Sequence, residues 1–268
     1  MSGHLLRETA PLGPGDWNLL DEAVVAAARA ALIGRRFLSL YGPLGAGERT
    51  VAVDRFPPQE EEGTRRSFLP LTVVHRDFLL PWQDLEAHRS RGEPLDASRA
   101  AQAAAYCACW EDELIFQGDE EAGLEGLLNA GGVQRLERGD WKQPGSALAE
   151  VAKAAAALGQ ADCPGPYTLV LSPGLFALLD RVVPSTGYAE LRLVEKAVGG
   201  EVLRSQVLPA GTAVLLDPAP YHLDLAVGED LTTAYLGNDG LDHAFRVFES
   251  VALRLKQPAA VAVLEGGE

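Results

Sequence analysis

The side chains able to do chemistry are spread thinly along this 268-residue chain. Histidines stand at positions 4, 75, 88, 222 and 243. None falls in HExxH, beside a cysteine at metal spacing, or in the Glu-x-x-His repeat of di-iron helices. Cys107 and Cys109 lie two apart, on different sides of a helix, and Cys163 stands alone. Neither a zinc site nor a disulfide framework is spelled out, and reduced thiols in a cytoplasmic chain fit this usage. Tyr221-His222-Leu223-Asp224 alternates as a strand does, which puts His222 and Asp224 on one face. With no third group beside them they read as a surface pair. Gly42-Pro43-Leu44-Gly45-Ala46-Gly47 lacks the Lys-Ser/Thr of a phosphate loop and a following helix, so it reads as a flexible joint. Ser172, followed by Pro173, reads as a helix cap. The densest charge is acidic, with seven carboxylates and no Lys or Arg between Glu111 and Glu125. Glu111, Asp112 and Glu113 fan out around a helix and cannot share one metal, so they are expected to be solvated or to face a neighbour's arginines. No active-site constellation and no metal-ligand set results.

The elements behind these residues centre on Asp96–Gly126. Its first half reads as one long helix, with Ala100, Ala103, Ala104, Cys107, Trp110, Leu114 and Ile115 sharing a face, Asp96 or Ser98 as cap and Gly118 as stop. The small residues of its first turns let another backbone approach closely. An earlier helix runs from Pro14 to about Ile33, presenting Trp17, Leu20, Val24, Ala27, Ala28, Ala31 and Leu32. Between the two, 49–56 alternates like a strand and Ser67–Leu80 is a second extended run interrupted by Pro70. Joined by a polar tip, they make a two-stranded arm. A lone hairpin is marginal in water, so an arm of this length implies a neighbour for it to lie on. Residues 131–145 read as a loop and Ser146–Leu158 as a helix. Strand 167–171, short helices at 174–180 and 188–198, and strands at 201–206, 213–217, 221–227, 231–236, 244–249, 252–256 and 259–264 complete the pattern.

The totals bound the function. Hydrophobic residues make up 47% of the chain and the formal net charge is −15, which disfavours a nucleic-acid or anionic-membrane surface. No basic stretch leads into a long apolar segment and no run reaches membrane-spanning length, so neither a signal peptide nor a transmembrane helix is expected. A folded core, a projecting arm and no catalytic cluster read as an assembling protein.

Short motifs in a fixed order carry a resemblance. They are Leu6-Arg7 with Ala10-Pro11-Leu12 and Trp17; Leu32-x-Gly34-Arg35-Arg36 with Gly42-Pro43-x-Gly45; Arg91-Gly92; Glu111-Asp112 with Ile115-Phe116-x-Gly118; Gly123 with Gly126-Leu127-Leu128; Gly165-Pro166-Tyr167-x-Leu169-Val170; Gly228-x-Asp230-Leu231 with Tyr235; and Glu249-Ser250 leading to Pro258. With these the chain resembles the encapsulins, nanocompartment shell proteins built on the major capsid protein fold of tailed phages. It departs from them at Ala46-Gly47-Glu48-Arg49, where the family has an aromatic pair.

The resemblance implies an α+β fold with a peripheral domain, an axial domain and an extended β-hairpin loop. The boundaries would be 1–47, the N-terminal helix with part of the peripheral domain; 48–76, the extended loop; 77–129, the peripheral domain with the spine helix; 130–222, the axial domain; and 223–268, the returning peripheral strands. It implies a non-enzymatic cytoplasmic shell of about sixty copies in closed symmetry. The cargo would be a dye-decolorising peroxidase or a ferritin-like protein, serving oxidative-stress or iron handling and held through a short C-terminal targeting peptide. The peptide groove would involve Leu5, Leu6, Leu12, Trp17 and Leu20, with the three N-terminal leucines as its contacts and Trp17 and Leu20 held by the subunit's own fold. Pro184, Ser185, Thr186, Gly187 and Tyr188 would form the five-fold pore loop. The shell would require no cofactor or metal; a flavin beside Trp82 ranks below an apolar packing role for that residue. The alternatives are a phage-type capsid protein, which the acidic charge disfavours, and an α/β enzyme using loops 180–190 and 217–222.

Overall fold

The computed structural model describes residues 3–55, 65–182 and 187–266. Two 3-10 turns, Gly3–Leu5 and Arg7–Thr9, precede helix α1, Pro14–Ala31. Pro14 takes the first helical position, and Asp16 turns back to accept the Gly13 N–H at 2.9 Å. After a 3-10 turn at Gly34–Arg36 come β1, Leu40–Tyr41, and the arm strands β2, Thr50–Arg55, and β3, Arg65–Pro70. The polar tip between the arm strands lies outside the described residues. Pro70 ends β3, and the chain bends at Leu71 into β4, Thr72–Leu80. Helix α2, Trp82–Arg91, follows; the sequence pattern did not reveal it, because only Leu85 and Ala87 are buried. The spine helix α3, Ser98–Gln117, stops at Gly118, whose φ of +78° and contact with the backbone of Leu124 and Gly126 leave no room for a side chain.

Beyond the spine lie β5, Gly118–Asp119, β6, Leu124–Glu125, and β7, Gln134–Arg138. Then come α4, Ser146–Gln160, β8, Thr168–Leu171, α5, Pro173–Leu179, α6, Glu190–Val198, β9, Val202–Arg204, and β10, Ala213–Leu216. The chain closes with β11, Leu223–Val227, β12, Thr232–Asp239, β13, Asp242–Leu255, and β14, Val261–Gly266.

Two five-stranded sheets organise these elements. In the first, the 14-residue β13 pairs β4 along one edge and, in succession, β12 and β11 along the other, with β1 outside β11. The second runs β7-β14-β10-β8-β9. Its inner strands read as unbroken apolar runs because both faces are covered. Leu169, Leu171, Ala213, Leu215, Ala262 and Leu264 pack with α4, α5 and α6, while Val170, Val214, Leu216, Val261 and Val263 join the larger core of α1, α3 and the first sheet. The fold is α+β, as the resemblance implied.

Several expectations change. The two strands expected at 244–249 and 252–256 are one, since the polar Glu249-Ser250 step is buried in mid-strand. The loop expected at 131–145 contains β7, a polar edge strand parallel to β14 that has no apolar alternation to announce it. His222 and Asp224 are not a surface pair: both are buried, His222 Nδ1 bonding Gln257 Oε1 at 2.8 Å and Asp224 accepting from Arg254 and Lys256. Ser172 takes the cap position of α5, but its hydroxyl makes no hydrogen bond among the described residues.

Candidate functional site

Where α1 passes the loop before β12, the two 3-10 turns stand off from the helix and leave a cavity of about 590 Å³. Leu5, Leu6, Val24, Val25 and Leu231 give it apolar walls; Arg7, Glu8, Thr9, Asp21, Glu229 and Thr232 are its polar groups. Leu231 also borders two neighbouring cavities of about 440 and 420 Å³, the second continuing past Val25, Arg29 and Leu32 to Leu40. The first and third cavities meet at Val25 and Leu231, and together their walls follow α1 from Asp21 to its C-cap Leu32. At 1.5 Å per helical residue that is roughly 16 Å, the reach of about five residues of extended chain. Leu6 is 48% exposed, Val25 40% and Leu40 49%, so apolar surface is open along the whole run.

Arg35 fixes the wall at the Leu40 end. Its guanidinium reaches Glu111 with Nε and Nη2, Glu249 with Nη2 at 2.6 Å, and Asp230 with Nη1 at 2.7 Å. Glu111, Asp112 and Glu249 are buried, which corrects the expectation that the spine carboxylates Glu111 and Asp112 are solvated or face a neighbour's arginines; Glu113 remains exposed. Asp112 accepts the backbone N–H groups of Ile33 and Gly34, tying the end of α1 to the spine. Gly34 is a glycine because a Cβ there would strike Ile115. Burial raises the Asp112 carboxyl to about 7, though the two N–H bonds oppose the shift. Burial, and then the charge of Glu111, push Glu249 well above the ordinary carboxylate range. For Arg35, burial works against the charge, but the bond to Glu111 and the charges of Glu111 and Glu249 outweigh it and raise its pKa. The cluster joins four segments distant in sequence.

The sequence-derived candidates fare differently. Leu5 and Leu6 line the cavity. Leu12 is half-buried and packs against the main core. Trp17 is buried, edge-on to Phe245, with the Arg7 guanidinium 4.5 Å from its ring centroid, and Leu20 is wholly enclosed. Pro184, Ser185 and Thr186 lie outside the described residues; Gly187 and Tyr188 are exposed. Trp82 is 44% exposed, and its backbone N–H donates to Asp242 Oδ1. Arg7, Asp21, Val24 and Val25 were not singled out as groove residues by the sequence, and Leu231 and Thr232 escaped it because they are about two hundred residues away from the N-terminal half of the groove. Among the described residues no group of three or more His, Cys, Asp or Glu is placed to hold a metal ion, and no helix is long and apolar enough to cross a membrane. Burial pushes the Cys107 and Cys163 thiols up, to about 12 and about 11.

A family model described as "Encapsulating protein for peroxidase" matches residues 1–252. The chain belongs to the encapsulin shell-protein family. It is 40% identical to the type 1 encapsulin shell protein EncA of Myxococcus xanthus over 270 residues, which cover 96% of this chain and 94% of that one. The virus-like particle from Pyrococcus furiosus has the same fold, with a TM-score of 0.77 at 21% identity over 92% of this chain and 98% of that chain. The likeness extends to the capsid of Myoviridae phage XM1, with a TM-score of 0.58 at 13% identity over 82% and 83% of the two chains. An encapsulin is a shell-building protein rather than an enzyme, and it acts as a homo-oligomer.

Proposed function

We propose that copies of this chain close into a cytoplasmic icosahedral nanocompartment of about sixty subunits, and that the groove along α1 holds the C-terminal targeting peptide of a cargo enzyme. One observation carries the reading: Leu5, Leu6, Val25 and Leu231 come together beside α1 as the apolar wall of an open trough, with Leu6 and Val25 exposed in it. An extended peptide presents alternate side chains to one face, and a trough of about five residues takes two or three of them. Each contact of that size is weak, and a multimeric cargo engaging several subunits gains by avidity. The family description favours a peroxidase as cargo; a ferritin-like protein remains the second cargo class. The loop running through Gly187 and Tyr188 is assigned to the five-fold pore, and the domain boundaries implied by the family are retained.

The test is to produce the shell together with the product of a neighbouring gene. Leu6→Asp with Val25→Asp should leave shells assembled but empty, since the trough would then carry two unpaired charges. Filling to the wild-type level would reject the groove. Electron microscopy showing only monomers or open sheets for the unaltered chain would reject the closed shell.

A further inference from the structure

We infer that Arg7 is the latch of the groove: it holds the N-terminal strap, residues 3–9, in the position that makes the strap's leucines a wall. The strap has no hold of its own. Neither of its 3-10 turns contains a buried residue, and Leu6 between them sits in the left-handed region at φ 50° and ψ 23°, a conformation leucine rarely adopts. Its own hydrogen bonds, such as Thr9 Oγ1 donating to the Leu6 carbonyl, run within the strap. Among the described residues, every hydrogen bond from the strap to the rest of the chain comes from one side chain. Arg7 donates to both carboxylate oxygens of Asp21, at 2.7 and 2.8 Å, to the Thr233 carbonyl at 2.9 Å and to Thr232 Oγ1 at 3.3 Å, while its plane lies over Trp17. Among the described residues the strap makes one ring–ring contact as well, His4 edge-to-face with Phe248 at a centroid distance of 6.4 Å.

The placement of these partners matters. Asp21 lies on α1, Thr232 and Thr233 begin β12, and the cavity opens between those two elements. A planar fork that bridges both walls sets the groove's width and at the same time pins the leucines that close it. Lysine could replace one of these contacts but not the fork. Arg7 is thus a positioning residue, acting on a partner through Leu5 and Leu6. The inference rests on the reading of the groove as the peptide site, and its test separates the two.

Full-length shells would be prepared with Arg7→Gln, Arg7→Lys and Val25→Trp. A fluorescent protein ending in the last thirty or so residues of the neighbouring gene's product would serve as the cargo probe. Two readouts are taken: backbone hydrogen exchange of residues 3–10 in empty shells, and probe loaded per shell. Arg7→Gln should assemble, speed exchange of the strap by about tenfold or more, and cut loading by about tenfold, with Arg7→Lys between it and the wild type. Val25→Trp should cut loading and leave exchange unchanged. Normal loading in Val25→Trp would show that the groove is not the peptide site, whatever the strap does. Reduced loading in Val25→Trp together with a protected strap or normal loading in Arg7→Gln would overturn the latch alone. If Arg7→Gln failed to assemble while Arg7→Lys assembled with a protected strap and full loading, the fork would not be needed and the latch would fall.

Discussion

Two arginines flank the groove, and they are held in opposite ways. Arg35 keeps 16% of its side chain exposed and meets Glu111 and Glu249, which are 0% and 1% exposed, and the outlying Asp230. Arg7 is 27% exposed, and its one carboxylate, Asp21, is 39% exposed. The same guanidinium chemistry therefore serves two purposes. Withdrawn from water, it welds spine, sheet and loop into one wall, and losing it strands buried charge. Left half in water, it gives a hold that salt and a single substitution can loosen. A binding groove needs both, one wall that defines the site and one that can give way.

The largest expected effect is at the welded wall. Arg35→Met leaves Glu111 and Glu249 buried with no cation, and breaking a buried pair in this way costs about 3–5 kcal/mol. Against a total stability of roughly 5–15 kcal/mol, the variant should yield little assembled shell. Thermal unfolding of whatever soluble protein is obtained checks this. A midpoint within a degree or two of the wild type would remove the contrast between the two arginines.

How far the sequence foretold this wall is instructive. Periodicity found α1, α3, the arm strands and the inner strands of both sheets, because each buries a face at a regular spacing. It misjudged Glu111 and Asp112, because a carboxylate on a helix looks solvated until its partner is found, and Arg35 is separated from Glu111 by 76 residues and Gly34 from Asp112 by 78. Yet Gly34-Arg35, Glu111-Asp112, Asp230 and Glu249-Ser250 all belong to motifs that carry the family resemblance. Those motifs had no evident chemistry in the sequence; in the fold they meet at one arginine. The groove was half legible: Leu5 and Leu6 stood out as leucines with no core of their own, whereas Leu231 stood in a family motif with nothing to mark it as a groove residue and Thr232 had no mark at all.

A smaller effect sharpens the same contrast through pH. The Asp112 carboxyl lies near 7 in the fold against an ordinary 3.8, and Glu249 moves the same way. Between about pH 4 and 7 the folded state holds a proton at Asp112 that the unfolded chain has released, so stability from this site falls as pH rises, by about 1.4 kcal/mol per pH unit for one proton. Paired surface acids such as Asp77 and Glu125 have lowered pKa values and act in the opposite sense, losing stability only as pH drops below the ordinary carboxylate range. Asp112→Asn keeps an oxygen to accept the Ile33 and Gly34 N–H groups but carries no titrating proton. Its unfolding midpoint should vary less between pH 5 and 7 than that of the wild type. An unchanged slope would mean that Asp112 is ionised throughout.

The smallest effect tests the loose wall. Asp21→Asn removes the charge facing Arg7 but leaves an amide oxygen, Thr232 Oγ1 and the Thr233 carbonyl to accept from it. For a pair this exposed the loss should be below about 1 kcal/mol, which moves the unfolding midpoint by no more than about 4 °C in a chain of this size. The strap should still loosen measurably, because its hold is local and the global midpoint reports on the core. Raising salt from 0.15 to 1 M shortens the screening length from about 8 to 3 Å and should loosen the strap of the wild type while changing that of Asp21→Asn little. The welded wall should change far less with the same salt, since Glu111 and Glu249 are out of water and only Asp230 is exposed. If strap exchange in the wild type were indifferent to salt, Arg7 would be held by its stacking on Trp17 and its neutral acceptors, and the two arginines would differ in burial alone.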